Sequence, residues 1–243
     1  MTAIQTTNLT KRFQHRTAVD SLNLAVEKGE FFALLGQNGA GKTTTIKMLC
    51  CLLTPTSGDA VLLGDSIVAN PTAVKQKINI SPQETAVARN LTVRENLELI
   101  AGIYGSSKQE AKTKAANMMA AFGLTDRAAD RAKTLSGGLQ RRLSIAMALI
   151  TDPEILFLDE PTLGLDVRAR RDLWNILLKL KGKITIILTT HYLEEVEALS
   201  DRMAIMHGGQ IKALGTVEQL KTQTGMASIE DVFLMLTEGE VSA

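Results

Sequence analysis

FFALLGQNGAGKTT, residues 31–44, decides the fold. Five apolar side chains, Phe31 to Leu35, run without interruption into a glycine-rich loop. A run that short and that uniformly apolar suits a strand buried on both faces. The loop carries Gly36, Gly41, Lys42 and Thr43 in the spacing G-x-x-x-x-G-K-[ST]. KTTTIKMLCCLL, 42–53, then reads as a helix, and TPTSG ends it with turn residues.

A strand, a glycine-rich turn and a helix start in that order aim backbone N–H groups at one point. A Cβ would block the approach or the required φ/ψ, so the glycines are needed. The helix adds its positive end. The loop is therefore a phosphate cradle lined by Gly36, Asn38, Gly39, Ala40, Gly41, Lys42, Thr43 and Thr44. Lys42 is expected to neutralise the β- and γ-oxygens of a nucleotide, and the Thr43 hydroxyl to ligate Mg²⁺.

Two more apolar strands end in chemistry-bearing residues. ILFLDE, 155–160, places Asp159 and Glu160 at a C-terminal strand edge, where ligands of open α/β sheets bind. Asp159 suits Mg²⁺ and Glu160 an attacking water; a capped strand end is the plainer reading. ILTTH places His191 at a third such edge, within reach of a γ-phosphate or in a purely structural role. His15 and His207 have no comparable setting. The guanine-reading Asn-Lys-x-Asp pattern is absent, which favours ATP over GTP.

Around these motifs strands are expected at 3–8, 19–26, 59–64, 77–81, 183–190 and 203–207, with a Gly208-Gly209 hairpin into QIKALG. Helices are expected at 168–180 and 192–199. TVRE (92–95) and SKQE (107–110) are capping boxes opening helices to Tyr104 and Phe122, and Ser136 to Leu149 reads as another helix. Strands alternating with helices mean a mostly parallel sheet covered on both faces. The fold class is thus α/β with a helical insert; the family resemblance drawn from the motifs below implies a P-loop NTPase with a RecA-like core, a small antiparallel β subdomain and an inserted helical subdomain. Residues 1–84 and 151–220 are assigned to the β subdomain and core, and 85–150 to the helical insert. Residues 221–243 form a C-terminal amphipathic helix and tail. In that helix Ile229, Val232, Phe233 and Leu236 recur at i, i+3, i+4, i+7, to dock on the chain's own core or on a second subunit.

Composition narrows the function. Of 243 residues 45% are hydrophobic, enough for a large core, but only 4% are aromatic, which disfavours base-stacking surfaces. A net charge of +1 gives no field to gather nucleic acid, so no nucleic-acid partner is expected. Cys50 and Cys51, adjacent in sequence, make neither a disulfide framework nor a metal pair. No signal-like segment and no run of ~18 apolar residues is present. A cytoplasmic chain, carried to any membrane by a partner, is expected.

LSGGLQRR, 135–142, remains. Two glycines after Ser136, with Arg141 and Arg142 just beyond, look like a second anion pocket about a hundred residues from the first. The order of Gly36–Thr44, Leu135–Gln140, Ile155–Glu160 and His191 resembles that of ABC-type ATPases. LSGGLQ resembles their LSGGQ signature, with Leu139 inserted ahead of the glutamine; Gln140 is assigned no role.

The resemblance implies two such domains meeting head to tail, each ATP lying between the P-loop of one and the signature of the other. Ser136, Gly137 and Gly138 then form half of a γ-phosphate site completed by a second ABC ATPase subunit, a second copy of the chain or a paralogue. It implies that Gln83 is the glutamine that touches Mg²⁺ and links nucleotide to the helical insert. Asp166 corresponds to the aspartate that crosses the dimer interface, a role compatible with a helix N-cap. Phe13 corresponds to the aromatic that stacks on adenine, with a core phenylalanine as the alternative. ATP and Mg²⁺ are the implied cofactors, and an integral membrane permease is the implied partner at the inner face of the cell membrane. Leu91, Val93 and Leu97 are expected to pack within the insert, some also lining a docking groove.

PTLGLDVRARRDLW with the SIEDVFL tail is similar to the ATPase subunits of exporters. A soluble ABC ATPase acting on nucleic acid or ribosomes is the alternative. A P-loop small-molecule kinase is a third reading, opposed by the signature and Glu160.

Overall fold

The computed structural model describes residues 1–238, so residues 239–243 of the expected tail lie outside the described residues. The chain divides into two units, Met1–Lys77 with Lys181 onward, and Ile78–Leu180.

In the first unit, numbering along the whole chain, lie β1 (Thr2–Phe13), β2 (Arg16–Leu22), β3 (Ala25–Glu27), β4 (Phe31–Leu35), α1 (Lys42–Leu49), β5 (Ser57–Leu62), β6 (Asp65–Ser66) and α2 (Pro71–Lys77). After the second unit it resumes with β9 (Thr185–Thr190), α7 (Leu193–Leu199), β10 (Arg202–His207), β11 (Gln210–Gly215), α8 (Val217–Thr224) and α9 (Ile229–Glu238). An antiparallel sheet runs β2-β1-β5-β6, with β3 also paired to β1. A second sheet sets β10, β4 and β9 side by side in parallel, with β11 antiparallel at its edge. Every residue of β4 and β9 is buried, the uninterrupted apolar run of β4 and, in β9, three threonines beside Ile186, Ile187 and Leu188.

The expected strand 19–26 is instead β2 and β3, broken at Asn23 and Leu24. Thr6 spans the break: its hydroxyl donates to the Leu22 carbonyl at 2.9 Å and accepts the Leu24 N–H at 2.7 Å. The helix expected to reach Leu53 stops at Leu49. Cys51 turns to φ 55°, and the Leu52 and Leu53 N–H groups both close on the Lys47 carbonyl, ending the helix without glycine. Helix α9 docks on its own unit: Ile229 and Val232 join Leu35, Met203 and Ile205 in one buried cluster, with Phe233 and Leu236 packed against it.

The second unit holds β7 (Ile78–Ser81), α3 (Val93–Ile103), α4 (Lys108–Ala121), α5 (Gly137–Leu149), β8 (Ile155–Asp159) and α6 (Val167–Leu178). Strands β7 and β8 pair in parallel, and α5 packs on both. The capping boxes at Thr92 and Ser107 form with reciprocal hydrogen bonds. The Thr92 backbone N–H, donating to Glu95, holds that carboxyl below its usual range, so this cap weakens as acid protonates it. Val93 and Leu97 are buried. The exposed apolar residues of this stretch are Leu99, Ile103 and Tyr104.

Candidate nucleotide site

In the first unit the glycine-rich loop is fixed by its neighbours. A Cβ on Gly36 would lie 2.5 Å from the Met206 carbonyl oxygen. Gly41 takes φ 108°, and a Cβ there would lie 2.5 Å from the Ala18 carbonyl oxygen. Ala40 accepts the Gly209 N–H at 3.1 Å, tying the loop to the β10–β11 hairpin. Helix α1 starts at Lys42 with Gly41 as N-cap and no side chain capping it, so its first N–H groups have no side-chain cap. Gln37, Asn38 and Gly39 face outward, whereas Lys42 is only 5% exposed. Its ammonium donates to the carbonyls of Gly36 at 2.6 Å and Gln37 at 3.3 Å, which holds the charge inside the loop. A loop packed too closely on its neighbours for a Cβ at Gly36 or Gly41, a helix start open to an anion and a captive cation together fit a polyphosphate.

The same unit brings His191 to this loop. Leu35 pairs with Thr190 across β4 and β9, and the Gly36 N–H reaches the Thr190 carbonyl at 3.3 Å. The histidine therefore leaves the sheet beside the loop's first residue, its ring 4.1 Å from that of Tyr192. Phe13 ends β1 with 45% of its surface exposed, so it is not a core residue. The Lys11 ammonium stands 5.2 Å from its ring centre. Sequence reasoning missed Arg16, which donates to the Gly39 carbonyl at 2.9 Å and tethers the β1–β2 turn to the loop.

In the second unit β8 is buried throughout and delivers Asp159, 3% exposed, and Glu160, 5% exposed. Glu160 sits at φ 48°, a left-handed conformation uncommon for any residue but glycine. Gln83 follows β7 with its side chain outward. Ser136 is exposed and caps α5, its hydroxyl accepting the Leu139 N–H at 3.4 Å. Leu139 thus continues the first helical turn, and the Gln140 amide is engaged locally by the Leu135 carbonyl at 3.0 Å. Asp166 caps α6 through the Ala169 N–H at 2.8 Å. Ser136, Gly138 and Asp166 line one cavity of ≈ 170 Å³ with Arg142 and Arg168.

The two arginines after the signature do not flank an anion pocket together. Arg142 pairs with Asp172 at 2.9 Å. Arg141 turns inward, 4% exposed, and donates to five main-chain carbonyls. A run of charge in a helix reads as surface; only the packing of α5 against β7 and β8 reveals that one member is buried.

Residues 19–163 match the family model described as ABC transporter. The chain belongs to the ABC transporter family. This ABC ATPase is 42% identical to the daunorubicin/doxorubicin resistance ATP-binding protein DrrA of Streptomyces peucetius, over 92% of this chain and 68% of that protein. It is also 42% identical to the linearmycin resistance ATP-binding protein LnrL of Bacillus subtilis, over 91% of this chain and 72% of the other. The solved ATP-binding subunit of an ABC transporter superposes with TM-score 0.86 at 30% identity, over 96% and 99% of the two chains. An ATP-binding cassette solved as a dimer in a post-hydrolysis state with ADP and Pi superposes with TM-score 0.80 at 26% identity, over 88% and 98%. The α/β P-loop NTPase fold and an ATPase activity follow for this chain.

Among the described residues no group of three or more His, Cys, Asp or Glu side chains gathers as a metal cage. Thr43 offers a hydroxyl and Asp159 a carboxylate, each an oxygen donor of the kind a hard cation takes.

Proposed function

We propose that this chain is the ATPase subunit of a membrane exporter, working as a head-to-tail homodimer with an integral membrane permease at the inner face of the cell membrane. The observation that carries the reading is the exposed Ser136-Gly137 start of α5 in a chain whose phosphate cradle lies in the other unit. An uncovered helix N-terminus of this kind is half of an anion site, and a second copy supplies the other half. The relatives' names, resistance to daunorubicin, doxorubicin and linearmycin, support export. Among the described residues no helix is long and apolar enough to cross a membrane, and the proposal assigns the transport path to a separate membrane subunit. Leu99, Ile103 and Tyr104 on and after α3 give the helical segment 85–150 an apolar face for that subunit.

In this reading Phe13 stacks on adenine, and Gly36, Asn38, Gly39, Ala40, Gly41, Lys42, Thr43 and Thr44 enclose the phosphates. Ser136, Gly137 and Gly138 close on the γ-phosphate of the partner's ATP, with Asp166 crossing the interface. Thr43, Asp159 and Gln83 would hold Mg²⁺, which neutralises phosphate-oxygen charge when bound. Glu160 takes a proton from the water that attacks the γ-phosphorus, and Lys42 and His191 stabilise the charge spreading onto the departing phosphoryl group. Breaking the terminal phosphoanhydride bond removes the anion that both halves grip, so the subunits part.

Two measurements test the proposal. The full chain, affinity-tagged and recovered from its native cells in mild detergent, should bring down a multi-spanning membrane subunit; ribosomes or DNA in its place would establish the alternative. Ser136→Ala should weaken ATP-driven dimerisation about tenfold while leaving nucleotide binding to the monomer within about twofold, at about 1 kcal/mol of lost helix capping. A large fall in monomer affinity would mean that Ser136 serves its own subunit's nucleotide.

A further inference from the structure

We infer that Arg141 is a positioning residue that sets the backbone of Glu160 and ties it to the helix that begins with the signature. The inference rests on the reading of Glu160 as the base and adds what holds it there.

A guanidinium offers five N–H donors in one rigid plane. In Arg141, Nε donates to the Pro161 carbonyl at 2.8 Å. Nη1 donates to Pro82 and, at 3.2 Å, to Gln83. Nη2 donates to Asp159 at 2.8 Å and to Glu160 at 2.9 Å. All five acceptors are main-chain carbonyls from two places, the turn after β8 and the loop after β7.

The Asp159 carbonyl belongs to the peptide group before Glu160, and the Glu160 carbonyl to the one after. Holding both peptide planes from one nitrogen fixes φ and ψ of the residue between them. That residue has φ 48°, a conformation that persists only when its surroundings impose it. Relaxation to an ordinary negative φ would swing the carboxylate by ångströms, and such a displacement costs about a hundredfold in rate.

Arg141 also sits within the second turn of α5, whose N-cap is Ser136. Any displacement of α5 on engaging a partner's phosphate therefore reaches the turn carrying Glu160 and the loop carrying Gln83 through one side chain. Lysine cannot replace it: three donors on a single nitrogen cannot reach five carbonyls spread along a planar fork.

The test uses the full chain with Mg-ATP and the variants Arg141→Lys and Arg141→Gln, with Glu160→Gln alongside. Both Arg141 variants should lose about 10–100-fold in kcat, while KM and directly measured nucleotide affinity stay within about threefold. Their melting temperatures should fall, because buried carbonyls lose their donor, while both variants remain folded at the assay temperature. Three results overturn the inference: a kcat within about threefold of the parent in both variants, a rate loss matched by lost nucleotide affinity, or a general loss of folding in both. If one variant fails to fold, the other decides by the same criteria. Normal turnover in Glu160→Gln would instead remove the reading of Glu160 itself. A dead Glu160→Gln beside fully active Arg141 variants would remove only the role given to Arg141.

Discussion

Glu160→Gln should lower ATP turnover about 10³-fold and leave an ATP-held dimer in place of a monomer. The amide keeps the volume and the planar shape of the carboxylate, so the turn that Arg141 holds has no reason to move. What it loses is basicity. Glu160 is only 5% exposed, so bulk water gives no substitute acceptor for the proton leaving the attacking water. The substitution also removes a negative charge from a place where the γ-phosphate brings more, which favours closure. Nucleotide affinity should therefore hold or rise while phosphate release stops. Phosphate release under saturating ATP measures the first effect, and size-exclusion chromatography with light scattering, with and without ATP, measures the second. Release at the parental rate would show that another group accepts the proton.

Much of this was legible in the sequence, and the reasons differ from place to place. The strand at Phe31–Leu35 and the loop to Thr44 could be read because apolar continuity and glycine spacing are local properties of the chain. The caps at Thr92 and Ser107 were legible for the same reason: a hydroxyl and a carboxylate three residues apart each accept the other residue's backbone N–H only in a first helical turn. The same signal at Thr216, answered by Gln219, was there to find and opens α8, which the sequence reading omitted. Other features depend on partners far along the chain. The break at Asn23 is set by Thr6, and the early end of α1 by which N–H groups converge on Lys47. Arg141 is the sharpest case. Its neighbours in sequence predict a solvated charge, and its five acceptors come from segments 18 to 59 residues away. The residues proposed to touch phosphate were readable as a motif; the contacts that hold Glu160 were not.

Gly41→Ala should be the most damaging single methyl in the glycine-rich loop. An alanine is disfavoured at φ 108° wherever it sits, and here its Cβ would also meet the Ala18 carbonyl oxygen at 2.5 Å. That oxygen belongs to the backbone of β2 and cannot swing aside as a side-chain tip would. Dihedral strain of about 1–3 kcal/mol and overpacking of similar size together predict a loss of about 2–5 kcal/mol in unfolding free energy. The loop can relieve both by moving Gly41, but Gly41 is the N-cap of α1 and directly precedes Lys42. Relief therefore turns the first N–H groups of the helix and the ammonium away from the phosphates. The loss of two charge-assisted hydrogen bonds then lowers nucleotide affinity about 100-fold or more. Gly102→Ala supplies the opposite sign. That glycine lies in α3 with nothing within 4 Å of a new Cβ, and alanine there should add about 0.5–1 kcal/mol without changing nucleotide affinity. Urea unfolding and titration with a fluorescent nucleotide on both variants read the contrast. Parental affinity in Gly41→Ala would mean that the loop accommodates a side chain where its phosphate-binding backbone is drawn tightest, and the cradle would have to be placed elsewhere.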